Sequence, residues 1–199
     1  EAVATVDQNG LVTPLSVGEA VITVLSKDGY GAAEVPVRVT DGSAVDEPWK
    51  LTVMHTNDTH AHLSEVARRA TLVEQVRSEG GNNLLLDAGD VFSGDLYFTK
   101  WFGLADLAFM NYMGYDAMTF GNHEFDQGTQ ALADFVSKAQ FPLVSANVDL
   151  SRDINISNLL KNPALIDTRQ PKTTANSGVY PYVTLLVDGQ EVGVFGLTT

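Results

Sequence analysis

The chain has 199 residues, 44% of them hydrophobic, with 17 glycines, 7 prolines and no cysteine. That composition is globular and excludes a collagenous or coiled-coil chain, a disulfide framework, a zinc ribbon and a thiol nucleophile. Twelve basic residues against 25 acidic ones give a net charge of −13; such a surface repels duplex nucleic acid and anionic membranes, yet admits a small anion beside a divalent cation.

Residues 1–42 hold short alternating runs at Ala2–Val6, Val21–Leu25 and Glu34–Val39. Asn9-Gly10 predicts a hairpin, because both positions of a type I′ turn require positive φ. Gly18-Glu19 and Lys27-Asp28-Gly29 punctuate the rest. Strands of this size and spacing read as a small all-β sandwich. The string VATVDQNGLVTPLSVGEAVITVLSKDG, followed by AEVPVRVT, resembles the C-terminal part of a bacterial Ig-like (group 2) domain. The resemblance implies a partial domain over residues 1–42. It also implies an extracytoplasmic protein, whether secreted, periplasmic or on the cell surface.

Asp41–Pro48 is polar and carries Gly and Pro, and residues 43–48 read as a linker. From Trp49 the pattern changes. Leu51–His55 is a short apolar run and predicts a buried strand. Ser64–Glu79 carries Val66, Ala70, Val73 and Val76 at helical spacing and stops at Gly80-Gly81. Asn83–Asp87 predicts a second buried strand and Leu104–Met113 a helix ended by Gly114. Ala117–Phe120 predicts a strand, Thr129–Ala139 a helix and Leu143–Ala146 a strand. Val183–Leu186 and Glu191–Phe195 predict a hairpin around Asp188-Gly189. Strands alternating with helices define an α/β class. No apolar run of about 18 residues occurs, so no membrane-spanning helix is expected. The chain begins and ends in strand-like runs and so reads as a fragment of a longer protein.

Three segments place metal-competent residues directly after predicted strands, where open α/β sheets bind ligands. In His55–His62 (HTNDTHAH), Asp58 and His60 are two apart, and an extended segment would point both to one side. An Asp oxygen with a His nitrogen suits a borderline divalent ion. In Asp87-Ala88-Gly89-Asp90 the glycine allows a sharp turn, and the Asp90 carboxylate has two oxygens with which to bridge two ions. In Gly121-Asn122-His123-Glu124-Phe125-Asp126, Asn122 offers a carbonyl oxygen. There, Asp126 stands one turn from His123 and can orient its ring as a general acid. Taken singly, each segment also fits an ordinary polar turn. Glu124 reads as an acid in a first helical turn.

In order and spacing the three segments resemble the calcineurin-like metallophosphoesterase superfamily. The strings LTVMHTNDTHAHL, LLLDAGDVFSGD and YDAMTFGNHEFD, continued by FPLVSANV and VGVFGLTT, resemble its 5′-nucleotidase / 2′,3′-cyclic-nucleotide phosphodiesterase branch. The resemblance covers Leu51 to Thr199. It implies the first part of a four-layer αββα sandwich over residues 49–199. It implies a centre of two divalent ions (Zn, Mn, Mg, Fe or Co), with Asp58 and His60 on the first, Asp90 bridging, and Asn122 on the second and at the substrate phosphate. His123, oriented by Asp126, would contact the substrate and protonate or stabilise it. The implied activity is release of phosphate from nucleoside monophosphates, with cyclic nucleotides or other diesters as the alternative and a non-catalytic surface scaffold as a third. The family takes further ligands from a later lone His and a G-H-x-H segment. The four histidines here are His55, His60, His62 and His123. The second site is therefore expected to be incomplete and the fragment inactive, with a dimer or strand swap as a route to finish the sheet.

His62 reads as solvated, and His55 as a core histidine bonded to backbone. The aromatics Phe92, Tyr97, Phe98, Trp101 and Phe102 read as core, and Arg68-Arg69 as a solvated pair.

Overall fold

Alternation near the amino end produces two antiparallel pairs. Ala4–Val6 (β1) pairs with Val12–Pro14 (β2). Gly18–Leu25 (β3) pairs with Ala32–Val39 (β4), Gly18 lying opposite Val39. The computed structural model describes residues 2–7, 11–25, 32–40 and 48–198. The Asn9-Gly10 turn, the Lys27-Asp28-Gly29 turn and the linker up to residue 47 lie outside them. The chain divides into two compact units, Glu1–Trp49 and Lys50–Thr199.

The second unit begins with Leu51–Thr56 (β5), followed by Val66–Ser78 (α1) and Asn82–Asp87 (β6). Then come Leu96–Trp101 (α2), Leu104–Met113 (α3) and Ala117–Thr119 (β7). Gly128–Lys138 (α4) and Leu143–Val144 (β8) follow. Ala164–Asp167 (β9), Val179–Tyr180 (β10), Tyr182–Val187 (β11) and Gln190–Phe195 (β12) complete it. Glycine stops act where the sequence places them: Gly114 caps α3 at φ 66°, a left-handed position that L side chains disfavour. The hairpin β11–β12 turns through Asp188 (φ 47°) and Gly189 (φ 81°).

Five strands form a parallel sheet in the order β10-β8-β7-β6-β5. Strands β5 to β8 follow chain order without reversal. Right-handed crossovers then put their helices on one face. That face packs Val73 of α1, Leu107 and Met110 of α3, and Leu132, Phe135 and Val136 of α4 on Leu85 and Met118. The opposite face is free for a second sheet, order β12-β11-β9, which packs Val183, Leu185 and Val187 on Leu84 and Val144. The strict alternation of β6 serves both layers, Leu84 on one side and Leu85 on the other. The result is a mixed α/β unit built as helix, parallel sheet, sheet, consistent with the expected sandwich.

Several expectations need correction. Strand β5 is an edge strand, with Val53 51% exposed and His55 also exposed. A short apolar run does not distinguish a central strand from an edge, so neither the buried strand nor the core histidine at His55 holds. Of the five aromatics, Phe92 and Phe98 are core, whereas Tyr97, Trp101 and Phe102 are nearly half-exposed. Arg68 is a solvated pair with Glu65 at 3.0 Å, but Arg69 is half-buried and its charge reaches Asp87 and Asp106. Helix α2 and strands β9 and β10 lack a clear period in the sequence. No helix among the described residues is long and apolar enough to cross a membrane.

Candidate metal centre

Strands β5, β6 and β7 end side by side, and their following loops converge. The first loop is not extended. Asp58, His60 and Ala61 adopt positive φ of 51°, 45° and 55°, so the predicted same-side arrangement through an extended segment is replaced by a left-handed curl. Asp90 and Ser93 in the second loop do the same, at 58° and 68°. Such backbone costs free energy for non-glycine residues and concentrates at functional sites.

The two loops are laced together by backbone hydrogen bonds. Asp58 N donates to Gly89 O (2.9 Å), His60 N to Asp90 O (3.1 Å) and Ala61 N to Val91 O (3.1 Å). The third loop joins through contact too close for any side chain at two glycines. A Cβ at Gly89 would lie 2.2 Å from Gly121 N, and one at Gly121 would lie 2.1 Å from Asp90 Oδ1. Asp90 Oδ1 also accepts a hydrogen bond from His123 N at 3.0 Å.

His60, Asp90 and His123 each aim one ligand atom into a common space, all within 4.8 Å of one another. Asp58 flanks the group, its Oδ1 3.9 Å from His60 Nε2. The His60 ring is oriented from behind. Its Nδ1 lies 3.0 Å from Phe92 O; a carbonyl only accepts, so Nδ1 carries the proton and Nε2 presents its lone pair. The His60 and His123 rings meet edge to face at 4.9 Å. His123 Nδ1 bonds Asp126 Oδ2 at 2.7 Å, and Ser93 Oγ also donates to that oxygen. The Asp126 hydrogen bond raises the His123 pKa, and the same bond lowers that of Asp126. Asn122 is exposed beside them, its amide unpaired among the described residues. His62 is exposed, its ring at Thr59 O. The His60 nitrogen, the Asp90 carboxylate and the flanking Asp58 carboxylate form a donor set that fits a borderline divalent ion, with the His123 ring beside it.

Two contributions escape sequence reasoning. Glu124 does stand in the first turn of the short helix His123–Phe125, but it is fully buried, and its carboxylate accepts backbone N–H groups from the second and third loops as a clamp. Asp87 is buried as well. Its pKa is raised to about 7, chiefly by burial, while Thr56 and Gly89 N donate to its oxygens. Neither position differs in type from a solvated acid, so no local signal marks them. Asn147 pairs reciprocally with Thr198, and the Thr198 hydroxyl bonds Phe120 O beside the third loop.

Comparison with known proteins fits this geometry. The profile for calcineurin-like phosphoesterases matches residues 51–189, and that for bacterial Ig-like domains (group 2) matches residues 1–37. A trifunctional nucleotide phosphoesterase of Bacillus subtilis is 51% identical over 193 residues, covering 87% of this chain and 13% of that protein. The 5′-nucleotidase of Rattus norvegicus is 40% identical, covering 76% of this chain and 26% of that protein. The crystal structure of a 5′-nucleotidase precursor from Thermus thermophilus superposes with a TM-score of 0.63 at 44% identity, over 75% of this chain and 28% of that one. The chain thus spans between an eighth and about a quarter of the length of these relatives. The converging loops, the parallel sheet that presents them and these matches agree that the chain belongs to the calcineurin-like phosphoesterase family.

Proposed function

We propose that the protein hydrolyses phosphate esters of nucleotides, with nucleoside 5′-monophosphates as its main substrates, at a centre of two divalent ions. The convergence of His60, Asp90 and His123 beside Asp58 carries this reading. Asp58 and His60 would hold one ion, Asp90 would bridge, and Asn122 would serve the second ion and the substrate phosphate. Bound divalent ions supply Lewis acidity toward phosphate oxygens and lower the pKa of water. They also offset the acidity of the chain, which otherwise disfavours an anionic substrate.

The residues themselves do the rest. His60, held through Nδ1 by Phe92 O, keeps Nε2 free for a ligand. His123 takes its proton on the face away from Asp126. The carboxylate behind it favours the protonated ring, which suits donation to a leaving alkoxide or pairing with a phosphoryl oxygen. The B. subtilis relative is described as trifunctional, which supports a wider range, cyclic nucleotides included, as the second reading. The Ig-like match supports an extracytoplasmic location.

Phosphate release from AMP, with manganese and then with EDTA, tests the proposal on this chain and on a version extended past Thr199. Activity in the extended version that EDTA removes and Asp90→Ala abolishes is the expected result. Full activity in Asp90→Ala would overturn the site.

A further inference from the structure

We infer that Glu124 is a positioning residue that sets the spacing between the loop of Asp90 and the loop of Asn122 and His123. The inference rests on the metal-site reading above. Glu124 has no exposed surface. Its Oε1 accepts Val91 N at 2.8 Å and Phe92 N at 3.2 Å; its Oε2 accepts Asp90 N at 2.9 Å and Gly121 N at 2.6 Å. Both oxygens are therefore filled by backbone donors, from residues that follow β6 and from one that follows β7. Each carboxylate oxygen has two lone pairs, so this one side chain meets all four N–H groups.

The consequence for the site follows from the covalent chain. Asp90 N is fixed by Glu124, Asp90 Oδ1 is fixed by His123 N, and Asp90 O is fixed by His60 N. Three sides of Asp90 are thus held, two of them by the segment Gly121–Glu124. Its remaining oxygen, and the rings of His60 and His123, inherit that placement. Without the Glu124 carboxylate the two loops would keep the bonds of Asp90 Oδ1 with His123 N and of Ser93 with Asp126, and would lose the anchors at the N–H groups of Asp90, Val91 and Phe92.

Glu124→Gln isolates the effect. One oxygen becomes an amide that faces two N–H donors, whichever way the side chain turns, while size is kept. Four histidines make a simple reporter by nitrogen-correlated NMR of the metal-free chain. The expected result is displacement of the His60 and His123 signals with His55 and His62 in place. Manganese affinity, read by the loss of the free-ion EPR signal, falls at least about tenfold, the usual scale for partners behind a metal ligand. Leu185→Ala, a change in the separate core cluster on β11, serves as the destabilised control and leaves both readouts unmoved. Unmoved His60 in Glu124→Gln, or equal movement in the control, overturns the inference. Should Glu124→Gln fail to fold, amide exchange in the native chain decides: Asp90, Val91, Phe92 and Gly121 exchange slowly, and free-loop rates overturn it. Failure of the native chain to take up manganese while His60 responds as expected sinks the metal reading and leaves the positioning role standing.

Discussion

Gly89→Ala tests the close packing of the site loops against a built-in control at Gly189. Both glycines hold positive φ, +96° and +81°, so alanine at either costs about 1–2 kcal/mol for its backbone alone. At Gly189 nothing lies within 4 Å of the added Cβ. At Gly89 the Cβ would stand 2.2 Å from Gly121 N, 2.8 Å from Gly121 Cα and 2.8 Å from the Phe120 carbonyl carbon. These are backbone atoms and no rotamer change relieves them, so overpacking adds about 1–3 kcal/mol. Gly89→Ala is therefore expected to lose about 1–3 kcal/mol more than Gly189→Ala. Urea unfolding followed by circular dichroism at 222 nm reads this, since all four described α-helices lie in the second unit. The displaced Gly89 carbonyl also receives Asp58 N, so manganese uptake falls in Gly89→Ala and not in Gly189→Ala. Equal losses in the two variants would refute the claim that the loops are in steric contact.

The remaining predictions concern charge and core. Asp106 is 4% exposed, its Oδ2 has no hydrogen-bond partner among the described residues, and burial pushes its pKa up from 3.8 to about 6. A raised acid favours folding when protonated; its contribution is complete below about pH 4 and is lost as pH rises through about 6, on the order of 3 kcal/mol. Asp106→Asn should flatten that part of the stability profile, and an unchanged slope between pH 4 and 6 would count against the buried-acid account. Asp126→Asn replaces the charged acceptor that raises His123 with a neutral one, so the His123 midpoint should fall in an NMR titration; a fixed midpoint would dissociate the pair. Leu132 is fully buried, and Leu132→Ala should cost about 2–5 kcal/mol, while Leu72→Ala, at a residue 62% exposed, should stay within about 0.5 kcal/mol. A small loss at Leu132 would mean that the helical layer is not packed as described.

The α/β class, the order of the helices and strands that carry the site, and the three strings after β5, β6 and β7 were legible from the residues alone. These features are local: apolar periodicity, glycine stops at Gly80 and Gly114, and polar residues that directly follow apolar runs. The Ig-like pattern near the amino end was legible for the same reason. The features that were not legible depend on partners distant along the chain. Strand β5 looked like any buried strand until its place at the sheet edge exposed Val53 and His55. Glu124 was legible as a helix-start acid, but not as one enclosed by backbone donors from two loops, and Arg69 looked like its neighbour Arg68 until buried Asp87 and Asp106 came within reach of its charge. The curl of Asp58, His60 and Ala61 into left-handed backbone was equally hidden, because no residue type there requires it. It is held by hydrogen bonds to Gly89, Asp90 and Val91, some thirty residues away. Periodicity and turn chemistry act between near neighbours, whereas burial, pairing and backbone strain are settled only when separate strands meet.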